Sequence, residues 1–251
     1  ITGGITGNTA NSDSAGESNN PNTTDSSAMG YHIVASNNTN YKGGAYSAVG
    51  LTSGGVAVVA WYDASSRSLI YSYNTNPNTP VVGGVWQTNA KVIDDSYAGW
   101  YVDMTVDVND GIHIAYYNIG KGDLKYAYLS KYDATPQVVT VESYLSTGTN
   151  ITINTRKEGS SIVPYISYYH AASAQTPNAV RVAWRKDFSS LTDGVIDDKF
   201  TGSWEVMTVP ASNIPVEAQI CNGVPTSGTY DDTVVLGYMS DQGYEKAYIK
   251  Y

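Results

Sequence analysis

The fold is decided by GVAVVAWYD at residues 55–63, because the same pattern returns as GIHIAYYN at 111–118, SIVPYISYYH at 161–170 and, more weakly, DTVVLGYMS at 232–240. In each copy a small residue (Ala60, Ala115, Ser167, Gly237) precedes an aromatic (Trp61, Tyr116, Tyr168, Tyr238), and those aromatics lie 55, 52 and 70 residues apart. Self-similarity at such a period is the mark of a repeat architecture, in which each unit buries its apolar face only against its neighbours. After each copy comes a turn and a second alternating run: SLIYSY (68–73), DLKYAY (123–128), AVRVAW (179–184) and, loosely, EKAYIKY (245–251). Before each lies another, AYSAVGLT (45–52), WYVDMTVDV (100–108), NITINTR (150–156) and PVEAQIC (215–221). A fourth run closes the first three units: VWQTNAKVI (85–93), QVVTVES (137–143) and SWEVMTV (203–209). Four period-2 strands per unit, bounded by Gly, Asn, Asp or Pro, describe a propeller blade.

The expected fold is therefore all-β, a β-propeller of four blades of four antiparallel strands, spanning 29–251 with blades at about 41–93, 97–143, 149–209 and 214–251. The last unit lacks a fourth strand, and GYHIVAS (30–36), which belongs to no unit, is expected to supply it and close the ring. A five-bladed ring and a fragment of a longer propeller are the alternatives. Composition agrees: Leu occurs seven times and Glu six in 251 residues against 24 Gly and 22 Tyr, which starves helices and suits strands and turns.

Repeats of the form G-x-x-x-I-A-Y-Y-D followed by G-D-L-K-Y-A-Y, clearest at 97–128 and 43–73, resemble the β-propeller repeat proteins of bacterial and archaeal cell surfaces. The resemblance implies an architecture and a surface setting. It implies no activity, because propellers host hydrolases, lectins and scaffolds alike.

Residues 1–28 hold 19 Ser, Thr, Asn or Gly and three acids, with nothing large and apolar beyond Ile1 and Ile5. Alone in water such a segment is a disordered linker, and it becomes ordered on a partner surface. We read it as an extended arm, led by Ile1, Thr2, Gly3, Gly4, Ile5 and Thr6, that adds main-chain hydrogen bonds along a strand edge of a neighbouring copy. Head-to-tail docking of identical units builds a filament or surface array unless the rotation closes.

A formal net charge of −9 with scattered bases gives no footprint for nucleic acid, and no apolar run is long enough for membrane insertion. The single Cys221 forms no internal disulfide and is expected to be a small buried residue on a strand. This composition, with no leader and no initiator Met before Ile1, reads as a processed segment of a secreted or cell-surface protein.

No motif compels catalysis. His32, His113 and His170 lie in unrelated runs and are read as strand or loop-surface residues. The enzyme alternative is a propeller glycosidase using inner-strand acids from Asp103, Asp107 and Glu217, since two carboxylates at suitable separation cleave glycosides. Against it, Asp107 with Asn109 and Asp110 forms the turn of V-D-V-N-D-G. No cofactor is expected beyond a structural Ca²⁺, which the same Asp107, Asn109 and Asp110 suggest although the bidentate Glu of a calcium loop is missing. The glycan-binding alternative rests on aromatics off the repeat positions, Trp86, Trp100, Tyr101 and Trp204, while the repeated aromatics are assigned to blade packing. Three glycosylation sequons begin at Asn22, Asn37 and Asn150.

Overall fold

A computed structural model describes residues 45–73, 90–143, 146–171, 178–185, 191–196, 199–200, 204–209, 217–222, 233–240 and 243–250. The arm, the strand expected at 30–36, Trp86 and the insertion 223–232 lie outside the described residues. Within them the chain is all-β, with seventeen strands and no helix.

Each repeat folds as an up-and-down antiparallel meander. The first sheet joins β1 (Ala45–Leu51), β2 (Ala57–Asp63), β3 (Ser68–Tyr73) and β4 (Lys91–Asp94) in that order. The second joins β5 (Ala98–Val106), β6 (Ile112–Asn118), β7 (Asp123–Leu129) and β8 (Gln137–Ser143). The third joins β9 (Thr147–Glu158), β10 (Ser161–His170), β11 (Ala179–Arg185) and β14 (Trp204–Thr208). The fourth has three strands, β15 (Glu217–Asn222), β16 (Thr233–Ser240) and β17 (Gly243–Lys250). The leading strands line up in succession, β1 on β5, β5 on β9 and β9 on β15, as blades do around a propeller axis. The ring of four complete blades that the sequence suggests is not closed among the described residues. The fourth sheet stops at three strands, and β15 does not pack on β1 as it does on β9. Val49 and Leu51, on the face of β1 turned away from β5, are 67% and 65% exposed.

Alternation explains the packing. On β6 every residue is buried, because Ile112, Ile114 and Tyr116 enter the core shared with the first blade while Ala115 and Tyr117 enter the core shared with the third. The repeated aromatics Trp61, Tyr71, Tyr116, Tyr126 and Tyr168 are buried in the same way.

Polar latches cross both of these interfaces. Asp94 at the end of β4 accepts the Tyr116 hydroxyl at 2.8 Å and the Lys125 ammonium at 2.5 Å. One blade on, Glu142 accepts Tyr168 and Arg181. An acid on an outer strand is thus held by a phenol and a cation of the following blade. The equivalent of Glu142 on the third blade is Val209, whose N–H bonds to the Val180 carbonyl, and Glu245 stands opposite Tyr238 where Lys125 and Arg181 stand opposite Tyr116 and Tyr168, so the phenol position keeps its residue type at the fourth blade while the acid and the cation do not.

One feature of the third repeat was invisible in the periodicity. Within it, β12 (Val195–Ile196) and β13 (Lys199–Phe200) form a short hairpin whose first strand runs parallel to β8, pairing Val195 with Glu142 and Ile196 with Ser143. The hairpin caps the outer edge of the second blade.

Candidate functional site

Two places gather chemistry-bearing side chains, one at each end of the leading strands. At the start of these strands a bulge recurs. Tyr46, Tyr101 and Asn150 have φ of 53°, 50° and 49°, each at a break in the register of β1, β5 or β9 with its neighbour. Left-handed backbone in a non-glycine residue is costly and gathers where a bulge re-aims a side chain. The bulge is prepared two residues earlier by Gly99 and Gly148, with φ of 114° and 110°. A Cβ on Gly148 would lie 2.9 Å from the Leu124 Cα, and one on Gly99 would lie 3.2 Å from the equivalent Leu69 Cα, so the blades approach too closely for a side chain. The sequence signal is G-x-Y or G-x-N (Gly44, Gly99, Gly148), which the strand periodicity does not reveal.

The bulges bring aromatics together. Tyr46 stacks on Trp100 with centroids 5.2 Å apart and meets Tyr101 at 5.0 Å, while Tyr62 meets Trp100 edge-on at 6.0 Å. Trp100 and Tyr101 are half-buried in this cluster. Trp204 is not part of it: at 1% exposure it sits in the core against Tyr126, which removes it as a platform for a glycan.

At the other end, the turn between β5 and β6 faces the turn between β9 and β10 across a cavity of about 250 Å³. Asp107 lies in its floor and accepts the backbone N–H groups of Asn109 at 2.6 Å and Gly111 at 3.0 Å. His113 Nε2 is 2.9 Å from Asp107 Oδ2, and its Nδ1 is 2.6 Å from the Tyr126 hydroxyl. Burial pushes Asp107 up, but the hydrogen bonds from His113, Asn109 and Gly111 outweigh it and hold the carboxyl below its usual range. Burial holds His113 below its usual range in spite of Asp107. The combination is a carboxylate beside a neutral imidazole, which gives Nε2–H to Asp107 and accepts from the Tyr126 phenol at Nδ1. His113 and His170, expected as strand or loop-surface residues, are buried strand residues, the second bonded to Thr147 Oγ1 at 2.8 Å.

The other predicted residues are structurally committed. Asp103 Oδ2 accepts the Ile153 N–H at 2.8 Å, pinning β5 to β9, and its Oδ1 accepts the Met104 N–H at 2.9 Å. Burial outweighs these bonds and raises the Asp103 carboxyl above its ordinary value. Asp110, left-handed at φ 65°, uses both oxygens on the Ser53 amide and hydroxyl, at 2.6 and 2.7 Å, tying the second blade's turn to the first's. Asp107 and Asp110 therefore serve different partners, and no group of three or more His, Cys, Asp or Glu suited to a metal occurs among the described residues. Glu217 and Cys221 lie on β15. Asn150, the one sequon within the described residues, is a half-buried bulge residue.

No family model matches the chain, and no curated protein does. Among solved structures, a Hadza microbial sialidase superposes with a TM-score of 0.49 at 11% identity, covering 82% of this chain and 44% of that one. A protein from Lactobacillus plantarum superposes with a TM-score of 0.31 at 11% identity, covering 88% of this chain and 73% of its own. The chain thus spans less than half the length of the sialidase, and likenesses at these scores say nothing of activity.

Proposed function

We propose that the chain is a non-enzymatic interaction propeller of a secreted or cell-surface protein, its fourth blade completed by residues 30–36, that associates with copies of itself through its N-terminal arm. The observation that carries this reading is the treatment of outer edges. The second blade's edge is already capped by an extended Val-Ile segment, whereas β4 and β14 end their sheets with no further strand among the described residues. An edge with unpaired N–H and C=O groups is a template for an extended segment, and the Gly-, Thr- and Ser-rich arm lies flat on one without clashes. The commitment of Asp103 and Asp110 to contacts between blades and of Asp107 to its own turn supports a non-enzymatic reading over the glycosidase. Negative-stain microscopy of the 251-residue chain with and without residues 1–28 tests it. Fibres or arrays that need the arm are expected, and an assembly unchanged by its deletion refutes the proposal.

A second reading, glycan binding, is favoured by the bulge-built cluster of Tyr46, Tyr62, Trp100 and Tyr101. Half-buried rings with polar handles stack on sugars. A flat response on a broad glycan array, with no change in Trp100 fluorescence, sinks it.

A further inference from the structure

We propose that the cavity between the second and third blades binds one sugar ring, or a polyol of that size. Its volume of about 250 Å³ is the share of about eight waters in the liquid and falls below the ~300–1,000 Å³ of pockets for drug-sized ligands. One ring fits.

The lining selects the chemistry. Asp107 comes from the second blade's turn and Arg185 from the end of β11 in the third, so charges of opposite sign border one space. An anion entering it meets the carboxylate, and a cation meets the guanidinium. A neutral polyol satisfies both, since each hydroxyl donates one hydrogen bond and accepts two. Asn109 and Ser160, both exposed at the mouth, add an amide and a hydroxyl with the same dual capacity. The half-buried ring of Tyr128 offers the apolar face of a sugar its stacking surface.

The floor is preorganised. Turn amides and His113 fix Asp107, and the Tyr126 hydroxyl fixes His113 from the other side, so little ordering remains to be done on binding. The chain Asp107–His113–Tyr126 has the connectivity of an orienting acid, a base and a nucleophile. Burial holds the imidazole in its neutral form and pushes the Tyr126 phenol well above its ordinary value, so both serve the site as uncharged hydrogen-bonding groups. This inference shares a ligand class with the second functional reading but not a site, and it is independent of self-association.

Saturation-transfer NMR on the full chain tests it, with the methyl glycosides of glucose, galactose, mannose and N-acetylglucosamine as probes and acetate and methylammonium as charged competitors. At least one glycoside is expected to bind in the millimolar range and to be displaced by neither ion. Tyr128→Leu should weaken binding at least tenfold, and Ser160→Trp, which fills the mouth from an exposed turn and leaves the core untouched, should abolish it. The proposal is overturned if no glycoside binds, if acetate or methylammonium displaces it, or if binding survives Ser160→Trp. Binding lost in Trp100→Ala yet retained in Ser160→Trp assigns the sugar to the aromatic cluster and overturns the cavity assignment alone.

Discussion

Replacing Lys125 by Met should destabilise the protein more than any change at an exposed charge, and the latch geometry gives the size. Lys125 Nζ lies 2.5 Å from Asp94 Oδ2, with side-chain exposures of 15% and 7%. Removing one partner of a buried ion pair costs about 3–5 kcal/mol, because the other charge is left without compensation. Asp94 keeps two donors, the Tyr116 hydroxyl at 2.8 Å and the Ser96 N–H at 3.2 Å, which places the loss near the lower end, about 3 kcal/mol. For a domain of ~150–250 residues that is a fall in Tm of about 6–12 °C. The triple variant Asp94→Leu, Tyr116→Phe, Lys125→Met removes charge, phenol and cation together and should return to within about 1 kcal/mol of the native protein. The pH dependence has a definite sign. Burial raises Asp94, but Lys125 and Tyr116 outweigh it and hold the native carboxyl below its usual range. The latch thus contributes its stability above about pH 4, where the unfolded carboxyl ionises, and loses it as pH falls through the lower folded value. In Lys125→Met a proton takes the place of the lysine, so the deficit against wild type should be larger at pH 7 than at pH 4. Urea unfolding followed by tryptophan fluorescence at both pH values measures this. A single-variant loss under 1 kcal/mol at pH 7, or a triple variant as damaged as the single, refutes the latch as the element that couples these blades.

Gly148→Ala should cost about 2–4 kcal/mol in a thermal melt, since an alanine at φ 110° meets the Leu124 Cα at 2.9 Å, whereas Gly159→Ala, at φ 59° with nothing within 4 Å, should cost about 1. Asp103→Ala orphans the Ile153 N–H and should cost about 1–3 kcal/mol by urea titration, while Asp103→Asn, which keeps an acceptor and sheds a charge that burial already disfavours, should cost markedly less. His113 resists protonation when folded, so its contribution to stability should fall as pH drops below about 6.5, where the unfolded imidazole gains a proton; the difference in stability between wild type and His113→Phe from pH 7 to 5 should show that slope, and parallel curves would contradict it.

Repetition made the strand order of the first three blades legible in the sequence. Gln137–Ser143 is predicted residue for residue, and Trp204–Thr208 within one or two, because alternation over a repeated unit is a local signal. Of the run 85–93, residues 91–93 lie in the strand Lys91–Asp94 and residues 85–89 lie outside the described residues. Burial of the repeated aromatics was also legible, for one position repeated in every blade meets the same neighbour each time. Trp204 shows the limit. Falling outside the repeated positions suggested a surface role, but this outer-strand residue of the third blade is covered by the face of the preceding blade, and only the stacking of sheets reveals that.

By itself, the sequence determined that this protein is built of β-meander repeats with an acidic, cysteine-poor surface, because period, turn residues and net charge are properties of the chain alone. Tertiary structure alone decided what the acids and histidines do. Asp94 and Lys125 are 31 residues apart, and Asp103 and Ile153 are 50 apart, so no motif spans either pair. The left-handed backbone of Tyr46 and Tyr101 and the cavity above Asp107 likewise arise from the close approach of neighbouring blades, a distance set by side-chain packing between sheets and not by spacing along the chain.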